Sequence, residues 1–194
     1  MADVPVAELM PRLWPAGDDE QTFALLDGAR DPDVLPRIVA SGLPSQCLYA
    51  GDLDPALARV APYLVRLART APATQDLLQR AWGESWGVFL RAPVGIGALH
   101  RHFRKLLRVQ DQRGRRMLFR FYDPRVLRMY LPTCLPAELD AVFGPVERFV
   151  VEGDPSARIL EFRNQRGVLA QGEVRVEKRL HWLGDYLRKE REGA

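Results

Sequence analysis

The chain has 194 residues, of which 47% are apolar and 27% are charged, and its net charge is +3. This is the composition of an ordinary globular domain with enough apolar material for one core. No apolar run approaches the roughly 18–20 residues that cross a bilayer, and the N-terminus lacks the basic start and apolar stretch of a signal peptide. Two cysteines far apart in sequence, Cys47 and Cys134, argue against a disulfide framework. We therefore expect a reduced, cytoplasmic protein that does not contact a membrane.

The net charge conceals a strong asymmetry along the chain. Residues 1–60 carry four basic and ten acidic side chains, whereas residues 100–130 carry ten basic and two acidic ones. Such a separation can steer a charged partner toward the basic segment, or the two parts can neutralise each other within the fold. The sequence leaves both alternatives open.

Strands and helices alternate in the first half of the chain. Residues 1–20 mix proline, glycine and acids around Trp14, which indicates an extended arm. Apolar runs predict buried strands at residues 22–26, 45–49, 63–67 and 86–90. Helical spacing predicts helices at residues 32–41, 74–82 and 96–107, and Asp54 with Pro55 predicts a further short helix. This alternation is typical of an α/β fold.

Residues 106–122 predict an antiparallel hairpin. Two strand-like runs, residues 106–111 and 115–122, flank a turn in which Gly114 supplies the positive φ of a tight hairpin. Side chains of the second run would alternate between the two faces. Asp123 can cap a following helix, and Pro124 suits its first position. Because a hairpin is added to helix-connected strands, we expect a mixed sheet with flanking helices.

The pattern changes after residue 145. Two short helices at residues 125–131 and 136–143 precede strand-like runs at residues 146–151 and 158–162. A C-terminal amphipathic helix is predicted from about residue 173–176 to residue 190, with Trp182 and Tyr186 beside its aliphatic stripe. We therefore divide the chain into an N-terminal arm (1–20), an α/β domain (21–145) and a small C-terminal α+β lobe (146–194).

Two stretches carry a resemblance to a known family. They are His100-Arg101-His102-Phe103-Arg104 and Leu118-Phe119-Arg120-Phe121-Tyr122-Asp123-Pro124-Arg125-Val126-Leu127. Together they resemble the signature of the bacterial type VI secretion adaptors, chaperones that connect a toxic effector to the VgrG spike. The likeness covers about residues 21–145. It implies a non-catalytic protein that has no cofactor. The implied partners are a toxin effector protein and VgrG, and we expect no nucleic acid among them.

The resemblance and the pattern together indicate the residues that contact partners. An arginine in an apolar strand beside a capping aspartate most simply fixes a strand–helix corner, so Arg120 and Asp123 are structural candidates first. Arg125, at the start of a helix, is the better contact candidate, and Trp182 and Tyr186 give the C-terminal helix an unusually wide apolar face. The full candidate set is Trp86, Arg104, Arg120, Tyr122, Asp123, Arg125, Trp182 and Tyr186.

Other functional patterns have simpler explanations. Residues 83–87 match G-x-S-x-G, but a helix precedes Ser85 and a strand follows it, the reverse of a nucleophile elbow. His100, His102 and His181 lack the spacing of metal ligands, so we expect no metal and no catalytic residue. The alternative function is nucleic-acid binding by the basic segment 101–128, with Phe119, Phe121 and Tyr122 as stacking platforms.

Overall fold

The computed structural model describes residues 6–15, 21–110 and 113–175. This part of the chain contains seven α-helices, α1 to α7, at Val6–Leu13, Val34–Ser41, Pro55–Arg59, Pro72–Ala81, Ile96–Leu106, Pro124–Tyr130 and Pro136–Phe143, with a 3-10 turn at Leu131–Thr133. Its nine strands, β1 to β9, are Gln21–Asp27, Ser45–Cys47, Pro62–Leu67, Gly87–Ala92, Arg108–Gln110, Arg116–Leu118, Arg148–Glu152, Arg158–Gln165 and Val168–Arg175. None of the described helices is long and apolar enough to cross a membrane.

Seven strands form one sheet in the order β2-β3-β1-β4-β7-β8-β9, and β5 pairs with β6 in a separate hairpin. Both neighbours of β1 run antiparallel to it, with Leu25 opposite Leu64 on one side and opposite Val88 on the other. β1 is therefore an interior strand of the sheet, and it is buried along nearly its whole length and carries an almost unbroken apolar run.

Helices cover both faces of the sheet. Phe23, Leu25 and the apolar stripes of α5, α6 and α7 form one core cluster. Ala24, Leu26 and the buried residues of α1, α2 and α4 form the other. The two-residue period of β1 thus sends alternate side chains into two separate cores. The result is a three-layer α/β/α arrangement.

The predicted α/β class with flanking helices is confirmed, but the sheet differs from the mixed sheet that we expected. Every described strand pairing is antiparallel. The reason lies in the crossovers: β1 and β2 point the same way but are separated by β3, and β3 and β4 point the same way but are separated by β1. The helical crossovers from β1 to β2 and from β3 to β4 therefore each skip one strand, which leaves antiparallel neighbours.

Three local predictions were wrong. The N-terminal arm is not extended, because α1 forms there and buries Leu9 and Leu13 against the sheet. The second hairpin strand ends at Leu118 rather than at residue 122, and Phe121 and Tyr122 lie in a turn where both are buried. Residues 173–175, where we expected the C-terminal helix to begin, belong to β9. The rest of that predicted helix lies outside the described residues.

The segment beyond residue 145 continues the main sheet. β7 pairs with β4, and β8 and β9 follow as a meander. Val150 and Phe149 are fully buried on the two faces. This segment therefore contributes to both cores of the molecule.

Gly87 fits a very close contact between β4 and β1. A Cβ atom there would overlap the Leu25 carbonyl oxygen and lie 2.9 Å from Leu26 Cα. We expect Gly87→Ala to lower the free energy of unfolding by about 2 kcal/mol, because two backbones would have to separate. Urea unfolding followed by circular dichroism measures this loss. Gly95→Ala is the matched control, since a Cβ at Gly95 meets no atom within 4 Å. Equal stability of the two variants would contradict the prediction.

Candidate functional site

Five residues form a charged cluster where β1 ends and α6 begins, which we call the arginine corner: Asp27, Arg120, Tyr122, Asp123 and Arg125. Asp27 is the last residue of β1. The other four lie in the turn and first helical turn that follow the hairpin, where the Asp123 amide donates to the Arg120 carbonyl at 3.0 Å. Residues separated by 93 positions in sequence therefore meet at one corner of the fold.

Asp27 is the buried anchor of the arginine corner. Its side chain is 1% exposed, and it shares the face of β1 that carries Phe23 and Leu25. One carboxylate oxygen accepts a hydrogen bond from Arg120 Nη2, and the other accepts from the Ala29 amide at 3.0 Å. The Asp27 amide donates to the Trp86 carbonyl at 2.7 Å. A buried carboxylate requires such partners, so the position of Arg120 is fixed.

Tyr122 packs beneath Arg120. The guanidinium carbon of Arg120 lies 6.0 Å from the centre of the Tyr122 ring, at the outer range of a cation–π contact. Burial is the main cause that raises the pKa of Tyr122, and its side chain also hydrogen-bonds with Tyr49. The pKa of Arg120 is raised chiefly by its hydrogen bond to Asp27. Both groups therefore keep their protons, and Arg120 stays a cation.

Asp123 caps α6 and holds the second arginine. Its carboxylate accepts from the Arg125 amide and Nε, both at 2.9 Å, and from Arg125 Nη2 at 2.6 Å. Burial alone would raise the pKa of Asp123, but the hydrogen bonds and positive charge of Arg125 outweigh it and lower the pKa. The predicted cap at Asp123 is confirmed, and it acts as an ion pair as well.

The arginine corner presents two preorganised cations to solvent. The side chains of Arg120 and Arg125 are 41% and 46% exposed, while the carboxylates that hold them, Asp27 and Asp123, are 1% and 5% exposed. A guanidinium has five donors in a fixed plane, and the carboxylates use only some of them. The remaining donors can bind acceptors of another molecule with little further loss of conformational entropy.

An apolar groove of about 760 Å³ borders the corner beyond Asp27. It lies between α2 and α3 and is lined by Gly28, Ala29, Pro32, Leu35, Pro36, Val39, Ala40, Ala56, Arg59 and Val60. Among the described residues that line it, Arg59 is the one charged side chain, and none carries a hydroxyl, thiol, imidazole or carboxylate. The described lining thus forms a concave surface but supplies no nucleophile or general base.

Ser85 belongs to a helix–strand connection, as predicted. It lies between α4 and β4 with φ of 57°, and its hydroxyl donates to the buried carboxylate of Glu152 at 2.7 Å. The Gly83 amide donates to the same carboxylate at 2.6 Å. Glu152 therefore ties this turn to the end of β7. The geometry is that of a structural tie between two elements.

His100 and His102 both bind main-chain carbonyls. The ring Nε2 of His100 lies 2.8 Å from the Cys47 oxygen, and that of His102 lies 3.0 Å from the Val142 oxygen. Burial lowers the pKa of His102, which favours its neutral form. Among residues 6–15, 21–110 and 113–175, no group of three or more His, Cys, Asp or Glu side chains could hold a metal ion.

The structure brings half of the predicted contact residues together. Arg120, Tyr122, Asp123 and Arg125 all belong to the arginine corner, although Tyr122 and Asp123 are buried and act by positioning the two arginines. Trp86 is buried in the core cluster on the opposite face of the sheet and reaches the corner only through its carbonyl.

The remaining candidates lie elsewhere. Arg104 is exposed on α5, outside the arginine corner. Burial raises the pKa of the Cys47 thiol, and the positive charge of Arg104 is the smallest of the influences that oppose this rise. Trp182 and Tyr186 lie outside the described residues. Sequence reasoning missed Asp27, although an acidic residue at the end of an otherwise apolar strand was a usable signal.

The Asp27–Arg120 pair yields a prediction about stability. Arg120→Met should lower the free energy of unfolding by about 2 kcal/mol, because it leaves a buried carboxylate without its cation. Arg120→Met combined with Asp27→Asn should recover part of that loss, since the buried charge is gone. A double-mutant cycle by urea unfolding measures the coupling. Additive losses in the cycle would show that the two side chains are not coupled.

Asp123 yields a prediction about pH. A carboxylate whose folded-state pKa is lowered contributes stability above its ordinary pKa of about 4, and loses it as the pH falls through the lower value. The melting temperature of the wild type should therefore drop as the pH falls below about 4. Asp123→Asn keeps a capping side chain and should drop less over the same range. Asp52→Asn, at an exposed loop position, is the control and should follow the wild type.

Comparison with known proteins assigns the chain to a family. A family model described as "Domain of unknown function (DUF4123)" matches residues 22–141, from β1 into α7, which includes the whole arginine corner. No curated protein and no solved structure matches the chain. Because the match covers more than half of the sequence, this protein is a member of the family described as Domain of unknown function (DUF4123).

Proposed function

We propose that this protein is a non-catalytic type VI secretion adaptor. It binds a toxin effector in the bacterial cytoplasm and loads it onto the VgrG spike. The observation that carries this proposal is the arginine corner, where residues of the family-like signature hold two surface arginines on buried carboxylates. Rigid, partly exposed guanidinium groups are typical of protein-recognition surfaces, and arginine is enriched among the residues that dominate binding energy.

The described chemistry supports recognition over catalysis. The apolar groove offers no nucleophile or base in its lining, and Ser85 donates to a buried glutamate in a helix–strand connection. The corner itself holds two carboxylates, but each is neutralised by an arginine. Such an arrangement binds a partner without making or breaking a covalent bond.

Residues 176–194 are the second proposed contact region. Their sequence places Trp182 and Tyr186 beside Leu180, Leu183 and Leu187. An amphipathic segment of this kind can bind a groove on a partner protein. We propose that this segment and the arginine corner contact different partners, so that one adaptor can bridge effector and spike.

Co-purification tests the proposal. We would co-express the tagged protein with the VgrG and candidate toxin encoded beside it, and run size exclusion at moderate and high salt. A complex with the toxin, alone or bridged to VgrG, is the expected result. Arg125→Ala should weaken it by about tenfold or more if the corner is a binding hot spot. Arg69→Ala, at an exposed loop position, is the matched control. If the protein elutes alone at every salt concentration although the toxin and VgrG are folded, the adaptor function is refuted.

A further inference from the structure

We propose that the β5–β6 hairpin is a separate docking surface for an acidic segment of the effector that also carries aliphatic side chains. The inference rests on the proposed function for the identity of the partner only. The chemistry of the expected ligand follows from the exposed face of the hairpin itself.

The register of the hairpin defines this face. Arg108 lies opposite Leu118, and Gln110 lies opposite Arg116. Side chains two residues apart in a strand, and those directly opposite in its partner, point to the same side. Arg108, Gln110, Arg116 and Leu118 therefore form one face, and all four are exposed. We call these four residues the hairpin face.

The base of the hairpin is anchored, so the hairpin face is held in place. The Phe119 amide donates to the Leu107 carbonyl at 3.0 Å, directly below the last strand pair. The Phe119 ring packs edge-on against Tyr130 at 4.7 Å between centres. The attachment uses the residue after β6, which leaves the hairpin face uncovered by the described part of the chain.

The hairpin face carries positive charge that no described side chain neutralises. Among the described residues, no carboxylate lies within salt-bridge distance of Arg108 or Arg116. Arg104 and Lys105, exposed in the last turn of α5, add positive charge just before β5. Several described acids pair with other arginines, such as Asp27 with Arg120 and Glu161 with Arg148. The complement of this surface is therefore a negatively charged one.

The apolar content of the hairpin favours a protein segment over a nucleic acid. Leu118 and Met117 are 49% and 46% exposed, and both are aliphatic. Single-stranded nucleic acids are bound largely by aromatic stacking platforms. The aromatic residues of this region are not free for stacking, because Phe121 and Tyr122 are buried and Phe119 packs on Tyr130. An acidic peptide with leucine side chains can pair its carboxylates with the arginines and pack its leucines against Leu118.

Fluorescence anisotropy with the full chain tests this inference. The probes are a labelled peptide of alternating Glu and Leu, the same peptide with Lys in place of Glu, and a single-stranded thymidine oligonucleotide. The variant is Arg108→Glu with Arg116→Glu, and the matched control is Arg59→Glu with Arg69→Glu, which makes the same charge change at exposed positions outside the hairpin. Thermal melts confirm that both variants fold.

The wild type should bind the Glu-Leu peptide more tightly than the other two probes. Reversing Arg108 and Arg116 should weaken this binding by about tenfold or more, while the control loses at most about threefold. Equal affinity of both variants for the peptide would overturn the inference. Tighter binding of the oligonucleotide, lost in the hairpin variant, would overturn it in favour of nucleic acid.

Co-purification with the candidate toxin separates this inference from the proposed function. An effector complex that forms with the wild type and weakens in the hairpin variant supports both. A complex that forms and is unchanged in the hairpin variant overturns the docking surface and leaves the adaptor function standing. If the wild type forms no complex, the adaptor function fails, and the peptide titration alone decides the chemistry of the hairpin face.

Discussion

A buried carboxylate at the end of β1, an interior strand of the sheet, constrains much of this structure. Asp27 accepts hydrogen bonds from Ala29, just after β1, and from Arg120, in the segment before α6. Its amide donates to the carbonyl of Trp86, the residue before β4. An ionised carboxylate out of water requires a cation and further donors. Arg120 supplies the cation, and this fixes the turn that leads into Asp123. The start of α6 and the position of Arg125 then follow from the cap.

The segment between β4 and β7 is best understood as a cover for one face of the sheet. Residues 93–147 supply α5, α6 and α7, whose apolar stripes fill the core cluster around Phe103 and Phe121. A segment of this length between adjacent antiparallel strands could pack in several ways. The Asp27–Arg120 pair selects one, because it is a long-range polar bond between this segment and the sheet. The family match covers β1 to β4 and most of this segment, as far as residue 141 in α7.

Sequence patterns predicted the local elements well because these depend on near neighbours. The helix start at Asp123 follows from the capping aspartate and the proline after it. The helix predicted at residues 32–41 ends in the structure at Gly42, whose φ is 63°. Strand order was not predictable in this way. A helical crossover skips a strand when another strand lies between the two strands that it joins. Here β3 lies between β1 and β2, and β1 lies between β3 and β4.

Sequence analysis identified only the part of the candidate site whose residues lie close together in the chain. The sequence placed Arg120, Asp123 and Arg125 at one strand–helix corner and favoured a pair between Arg120 and Asp123. In the structure Asp123 pairs with Arg125 instead, and Arg120 pairs with Asp27. Asp27 lies 93 positions from Arg120, and a single sequence contains no signal of that distance beyond the oddity of an acid in an apolar strand. The hairpin was placed correctly, but its second strand was predicted too long. The alternating side chains of residues 119–122 resemble those of a strand. The chain turns there instead, because Arg120 and Asp123 take part in the arginine corner.

The arginine corner and the hairpin face differ in whether carboxylates hold their arginines, and we infer different roles from this difference. Arg120 and Arg125 are backed by buried carboxylates, which offset their net charge and hold their planes in place. Such groups contribute geometry to binding and little long-range attraction. Arg108 and Arg116 have no such backing among the described residues, so their field extends into solvent and is screened by salt. In the effector complex that we propose, the hairpin would therefore govern the rate of encounter and the corner the lifetime, which are separable quantities in protein association.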